Sequence, residues 1–245
     1  MVSLLPRPGP LLPSDLRQAE LQVREALHSA LPSNAAGRWT IELRFEGLKL
    51  LPVALRLADA LGGEGRDLRV LCPDAGATAL ARRDAPGLAP LIHSLADQRR
   101  MQTSAAGGQG DGGDPLLLVV GPGPSDYDLV EAVCTGHGAA VVLINPTLED
   151  AAVGIGSVAR ARRKGFLAQW EAAYALQPFA NGALRRATPG DWELYRLDAD
   201  GFRLAGQFPQ KPTSEEQAEA LSGERPGGLK QQLRGLGDLM DNLQR

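Results

Sequence analysis

A chain of 245 residues, 43% hydrophobic and with a formal net charge of −3, is long enough for one well-cored domain plus a short appendage. That charge balance supplies no broad basic field, which argues against nucleic acid and anionic membrane surfaces as partners. Two cysteines do not make a disulfide scaffold, and no apolar run approaches the ~20 residues that a transmembrane segment needs.

Residues 1–12 hold Pro6, Pro8 and Pro10 and lack the basic start and continuous apolar stretch of a secretory signal, so an N-terminal extension and a cytoplasmic, reducing location are expected. Ser14 is placed to cap a helix running to about Leu31, because Leu16, Ala19, Val23, Leu27 and Ala30 recur at helical spacing. From Trp39 to Glu46 apolar and polar residues alternate, the pattern of a strand with one buried face, expected toward a sheet edge. Pro52 suits the first turn of a helix ended by Gly62 and Gly63, and Leu68 to Cys72 reads as the next strand.

Leu116 to Val120 and Ala139 to Ile144 are nearly all apolar, as strands buried on both faces are. Between them Ser125 is placed to cap a helix that Gly136 ends, completing a strand–helix–strand crossover. The fold class expected is α/β, a Rossmann-like three-layer parallel sheet, with Val70, Val119 and Leu143 side by side and pointing the same way. Leu148 to Ala173 reads as helix interrupted at Gly154 and Gly156. Tyr174–Pro178, Leu184–Thr188, Trp192–Leu197 and Phe202–Phe208 read as short strands of a C-terminal antiparallel meander extending the sheet.

Residues 13–212 thus form a single α/β domain, with the Gly-rich residues 103–114 as a flexible insertion. Residues 213–245 form a helical tail that opens on a capping box, Thr213 with Glu216. Within the tail, Leu229, Leu233, Leu236, Met240 and Leu243 follow a 4-3-4-3 spacing, a narrow apolar seam of the coiled-coil kind.

In an open parallel sheet, ligands bind beyond the carboxyl ends of the strands, where loop amides and helix starts converge. Those ends carry Glu46-Gly47, Pro73-Asp74-Ala75-Gly76, Gly121-Pro122-Gly123-Pro124-Ser125-Asp126, and Asn145-Pro146 followed by Glu149 and Asp150. The candidate crevice is therefore Asp74, Gly76, Gly121, Ser125, Asn145, Glu149 and Asp150. Gly121 to Ser125 fits neither the Walker nor the dinucleotide pattern, and its two prolines remove amide donors. Asp74 reads either as a helix cap or as a carboxylate facing the crevice, where it could join Glu149 and Asp150 in acid–base or metal chemistry. His28, His93 and His137 share no ligand spacing and Gly-x-Ser-x-Gly is absent, so no metal, no cofactor and no catalytic residue is assigned. The basic run Arg160, Arg162, Arg163, Lys164, close to Trp170, is either a solvated helix face or a docking patch for an acidic partner.

Several short motifs in order carry a family resemblance. They are Pro73-Asp74-Ala75-Gly76 through Ala79 to Asp84, Asn145-Pro146 with Leu148-Glu149-Asp150, Val153-Gly154-Ile155-Gly156, Phe166-Leu167 to Tyr174, Leu176 and Pro178, and Phe208-Pro209-Gln210-Lys211-Pro212. Over Pro13 to Pro212 the chain resembles a cyanobacterial and plastid domain-of-unknown-function family. That family includes the third Low Photosystem II Accumulation protein and a domain appended to a plastid adenylate kinase. The resemblance implies a protein of oxygenic phototrophs with a role in photosystem II biogenesis, through assembly of an inner-antenna chlorophyll protein. It carries over no catalytic residue. With it the leading expectation is a non-enzymatic accessory factor, peripheral at the thylakoid, that binds a photosystem II assembly intermediate or another protein through Arg160, Arg163, Trp170, Leu233, Leu236 and Met240. The alternative is a small-molecule or nucleotide-binding enzyme or sensor working at the strand ends.

Overall fold

The computed structural model describes residues 12–31, 36–105, 113–148 and 164–222. Nine strands, β1 (Arg38–Leu43), β2 (Leu68–Cys72), β3 (Ile92–Ser94), β4 (Leu116–Val120), β5 (Val141–Ile144), β6 (Glu171–Phe179), β7 (Gly182–Ala187), β8 (Trp192–Asp198) and β9 (Gly201–Phe208), follow the order β3-β2-β4-β5-β1-β6-β7-β8-β9. The α-helices are α1 (Leu16–Ala30), α2 (Leu50–Gly63), α3 (Ala75–Asp84), α4 (Leu95–Ala105), α5 (Tyr127–Cys134) and α6 (Ser214–Ser222). Two compact units are distinguished, one comprising Met1–Gln177 with Arg186–Pro189, the other Pro178–Arg185 with Gly190–Arg245.

In the first unit, every pairing among β1 to β6 is parallel. Leu71 pairs with Val119 and Val119 with Leu143, so β2, β4 and β5 run side by side in one direction as their apolar runs required. Alternate residues serve opposite faces. Val70, Leu118, Val142, Ile144, Ile41 and Leu43 pack with α1 and α2, while Leu71, Leu117, Val119, Val141 and Leu143 pack with α5. This is the expected three-layer arrangement of helices on both faces of a mostly parallel sheet, extended by a C-terminal antiparallel meander.

Four local expectations are corrected. β1 is not near an edge but lies between β5 and β6; its polar face is tolerated because Glu42 accepts a hydrogen bond from Gln177 and stands 3.8 Å from Arg44. α1 is capped by Asp15, whose carboxylate accepts the Gln18 amide at 2.9 Å, and not by Ser14. Ser125 lies inside a 3₁₀ turn, Pro124–Asp126, and caps nothing. Among the described residues the helical stretch before β6 covers only 164–167, and Glu171, expected in a helix, begins β6.

The thiols are settled by burial, and the expected capping box of the tail holds. Cys72 and Cys134 are buried free thiols, and burial pushes the Cys134 thiol up to about 12. In the second unit the Thr213–Glu216 box opens α6: Thr213 Oγ1 accepts the Glu216 amide at 3.3 Å and the Glu216 carboxylate accepts the Thr213 amide at 2.7 Å.

Candidate functional site

The carboxyl ends of β2, β4, β5 and β1 share one rim, as parallel pairing requires. Asp74, Gly76, Gly121, Ser125 and Asn145 all follow those ends. Their chemistry there is turned toward the backbone. Asp74 is the cap of α3, accepting the Ala77 amide at 2.8 Å, and Gly76 lies beside that carboxylate in the first turn. Asn145 sits at φ +50°, a conformation Asn tolerates better than most residues, and its side chain mimics a strand neighbour of Leu43. The Asn145 Oδ1 accepts the Leu43 amide at 2.6 Å while Nδ2 donates to the Leu43 carbonyl at 2.7 Å, and the Asn145 amide donates to the Ile41 carbonyl at 2.7 Å. This residue is a clamp holding the end of β5 to the end of β1.

The loop after β4 is likewise committed. Gly121, at φ +58°, donates its amide to the Ile144 carbonyl at 2.8 Å, Gly123 donates to the Asp126 carboxylate at 2.8 Å, and Thr147 donates to the Pro122 carbonyl at 2.9 Å. With Pro122 and Pro124 lacking amide protons, the loop offers a phosphate no nest of free donors. Ser125 is exposed. Glu149 and Asp150 lie outside the described residues, as do Arg160, Arg163, Leu233, Leu236 and Met240. Trp170 is half-buried, its ring edge-to-face with Phe166 at 5.6 Å, and Phe166 meets Tyr127 in the same way. Among the described residues no group of three or more His, Cys, Asp or Glu side chains could hold a metal ion.

Among the described residues of the first unit, one concavity lies at the β1 end of this rim and another lies between α1 and α2. A cleft of about 610 Å³ opens after β1, between the loop Phe45–Lys49 and the start of α1 at Ser14 and Asp15. Of the rim sequences singled out from the chain, only Glu46-Gly47 line it. A second cavity, of about 430 Å³, lies between α1 and α2. Its floor is apolar, formed by Ile41, Leu43 and Ile144 with Val23, Val53 and Leu57. Arg56 lines both spaces.

Two ionic bridges span the helices around this second cavity. Arg56 makes a two-pronged contact with Glu20, Nε donating at 3.0 Å and Nη2 at 2.5 Å. Arg24 donates to Glu64 at 3.0 Å, and His28 Nε2 stands 3.2 Å from the same carboxylate. Hydrogen bonding to Glu20 raises the Arg56 guanidinium above its usual range, and the bond from Arg24 lowers the Glu64 carboxyl. Nothing in the local pattern pointed to these pairs, because their members stand 36 and 40 residues apart.

In the second unit, β8 and β9 pair antiparallel with Leu197 opposite Phe202 and Tyr195 opposite Leu204, so these four share a face. Leu197 is 47% exposed and Phe202 and Leu204 are each 48% exposed. At the buried end of the hairpin, Arg185 Nη1 donates to Glu193 at 2.7 Å and the Tyr195 hydroxyl donates to the same oxygen at 3.0 Å. Burial, and then the Glu193 charge, raise the Tyr195 phenol well above its ordinary value, keeping it a neutral donor.

No curated protein matches the chain. A family model described as a domain of unknown function, DUF1995, matches residues 13–219, which takes in both units, and the chain belongs to that family.

Proposed function

We propose that this protein is a non-enzymatic accessory factor that binds another protein, and that the partner is an assembly intermediate of photosystem II. The observation that carries the protein-binding half is the apolar face of the β8–β9 hairpin, where Leu197, Phe202 and Leu204 stand together about half exposed at the outer end of the strand order. Contiguous exposed apolar side chains of this kind mark interaction surfaces. The photosystem half rests on the resemblance carried by the motifs from Pro73 to Pro212. Consistent with a scaffolding role, the polar residues described at the strand ends are bonded to backbone groups, in Asp74 and Asn145 above all.

The test is affinity capture from detergent-solubilised thylakoids, comparing the native chain with Phe202→Asp combined with Leu204→Asp. The native protein is expected to retain an inner-antenna chlorophyll protein, and the doubly charged variant to lose it while keeping its far-ultraviolet circular dichroism. Retention by both proteins would overturn the role of the hairpin face. Recovery of soluble metabolic enzymes in place of the chlorophyll protein would overturn the photosystem assignment.

A further inference from the structure

The two ends of the strand order finish in different ways. A strand at a sheet edge carries N–H and C=O groups with no neighbouring strand to meet them, and edges are commonly blunted by shortness and by charged side chains. β3 is blunted in both respects. It is three residues long, its Ile92 carbonyl accepts Nε and Nη2 of Arg82 at 3.0 and 2.7 Å, and its Ser94 amide donates to the Asp97 carboxylate at 3.3 Å. β9 is eight residues long, and no side chain among the described residues caps its free edge.

The direction of the free groups on β9 follows from one hydrogen bond. The Leu197 amide donates to the Asn181 carbonyl at 2.9 Å, on the β7 side, so Leu197 and Phe202 face each other without exchanging hydrogen bonds. The N–H and C=O of Phe202 therefore point off the sheet. Alternation gives Leu204 the same direction, since no register shift falls between the two. The bulge comes immediately after, between the pairs Tyr195–Leu204 and Leu194–Gly206, so the regular free stretch runs from Phe202 to Leu204. Phe202 and Leu204 thus combine outward main-chain groups with side chains that are each 48% exposed.

We infer that the partner adds a strand to the free edge of β9, pairing its main chain with Phe202 and Leu204 and laying alternate apolar side chains beside Leu197, Phe202 and Leu204. This rests on the protein-binding reading of the hairpin face and specifies what that face takes, an extended segment that reads apolar, polar, apolar. Charge complementarity selects such a segment. A row of N–H and C=O dipoles is matched by the row on another strand, whereas a helix spends its main-chain groups internally. The middle residue of the segment stands opposite Arg203, on the other face of the hairpin, where the 62% exposed guanidinium meets Asp198 and Asp200, so that residue is polar. A second copy of this chain fits less well. The antiparallel register that joins Phe202 of one copy to Leu204 of the other sets the two Arg203 side chains directly opposite, where like charges are unfavourable.

The probe is a soluble heptapeptide alternating valine with threonine between terminal lysines. Its control is the same peptide N-methylated at two successive central residues, which blocks both of its edges. Amide hydrogen exchange of the full ¹⁵N-labelled chain is followed by nuclear magnetic resonance. In the free chain the Phe202 and Leu204 amides should exchange rapidly and the Arg203 amide, which faces β8, slowly. At saturation the heptapeptide should slow Phe202 and Leu204 at least about tenfold and leave Arg203 unchanged, and the N-methylated peptide should slow neither. Leu204→Pro removes one outward amide at a position where an edge strand accepts proline, and should weaken peptide binding about fivefold beyond Leu204→Ala, the loss of one main-chain hydrogen bond. If Leu204→Pro loses its circular dichroism, the N-methylated peptide carries the test alone. Equal binding of the two peptides, or binding of neither, would overturn strand addition, while the hairpin face itself is judged separately by capture of the chlorophyll protein with and without the paired Asp substitutions. Slow exchange at Phe202 and Leu204 in the free chain that quickens on dilution would also overturn it, by showing a second copy already paired there.

Discussion

The rim at the carboxyl ends of the strands and the seam between α1 and α2 are both lined with polar residues, yet those residues are used in opposite ways. At the rim Asn145 and Asp74 bond to backbone groups, which have fixed positions and no other partner to turn to. Between the helices Arg56 and Glu20 bond to each other, and water can replace either. Polar groups that complete the main chain belong to the fold; a partly solvated pair that water can serve adds little to it. Hydrogen-bond partners, more than residue types, separate the two regions.

Burial sets how far that distinction goes, and the largest effect is expected where an ion pair is not replaceable. Glu193→Ala removes the buried carboxylate that the Arg185 guanidinium, 5% exposed, pairs with and should cost about 3–5 kcal/mol in chemical denaturation. A cost below about 1 kcal/mol would show that water reaches Arg185 and that this pair resembles Glu20–Arg56. Asn145→Ala, at the rim, removes both bonds to Leu43 and should cost about 2–3 kcal/mol by the same measurement, because two backbone groups lose their partner. Arg56→Gln, between the helices, should change stability by less than about 1 kcal/mol. If the order of these last two were reversed, the contrast between the regions would be wrong.

The smallest effect is a slope with pH. Burial first of all holds His137 and His93 below the ordinary imidazole value of 6.5, and His137 Nε2 donates to the Pro115 carbonyl at 2.9 Å. Between those lowered folded values and 6.5, the unfolded chain binds more protons than the folded one, so stability rises with pH across that window. It is fully present above about 6.5 and is lost as the pH falls below that value. Denaturation midpoints measured from pH 7.5 to pH 5.5 should decline, and less steeply in His137→Gln.

Much of the architecture was legible because it is local. Leu116–Val120 and Val141–Ile144 announce two-sided burial by lacking polar residues, and the hairpin of β8 and β9 is announced by the turn at Asp198 to Gly201. β3 was not legible as a strand, since three residues are too short to show a period. The site was far less legible. Asp74 and Asn145 were found at the right rim, but whether Asn145 faces a crevice or grips Leu43 depends on a contact across 102 positions. The α1–α2 cavity gave no signal at all, because amphipathic helices read alike whether their charges are solvated or paired across a gap.

The account turns on the strand-end rim serving the fold, and nuclear magnetic resonance of the uniformly ¹⁵N-labelled chain titrated with a panel of nucleotides and phosphosugars addresses that directly. The amides of Asp74 to Ala77 and of Gly121 to Gly123 are expected to stay unmoved across the panel, since their polar groups are committed within the fold. Shifts centred on those two loops would contradict the account and return the site to the crevice at the strand ends.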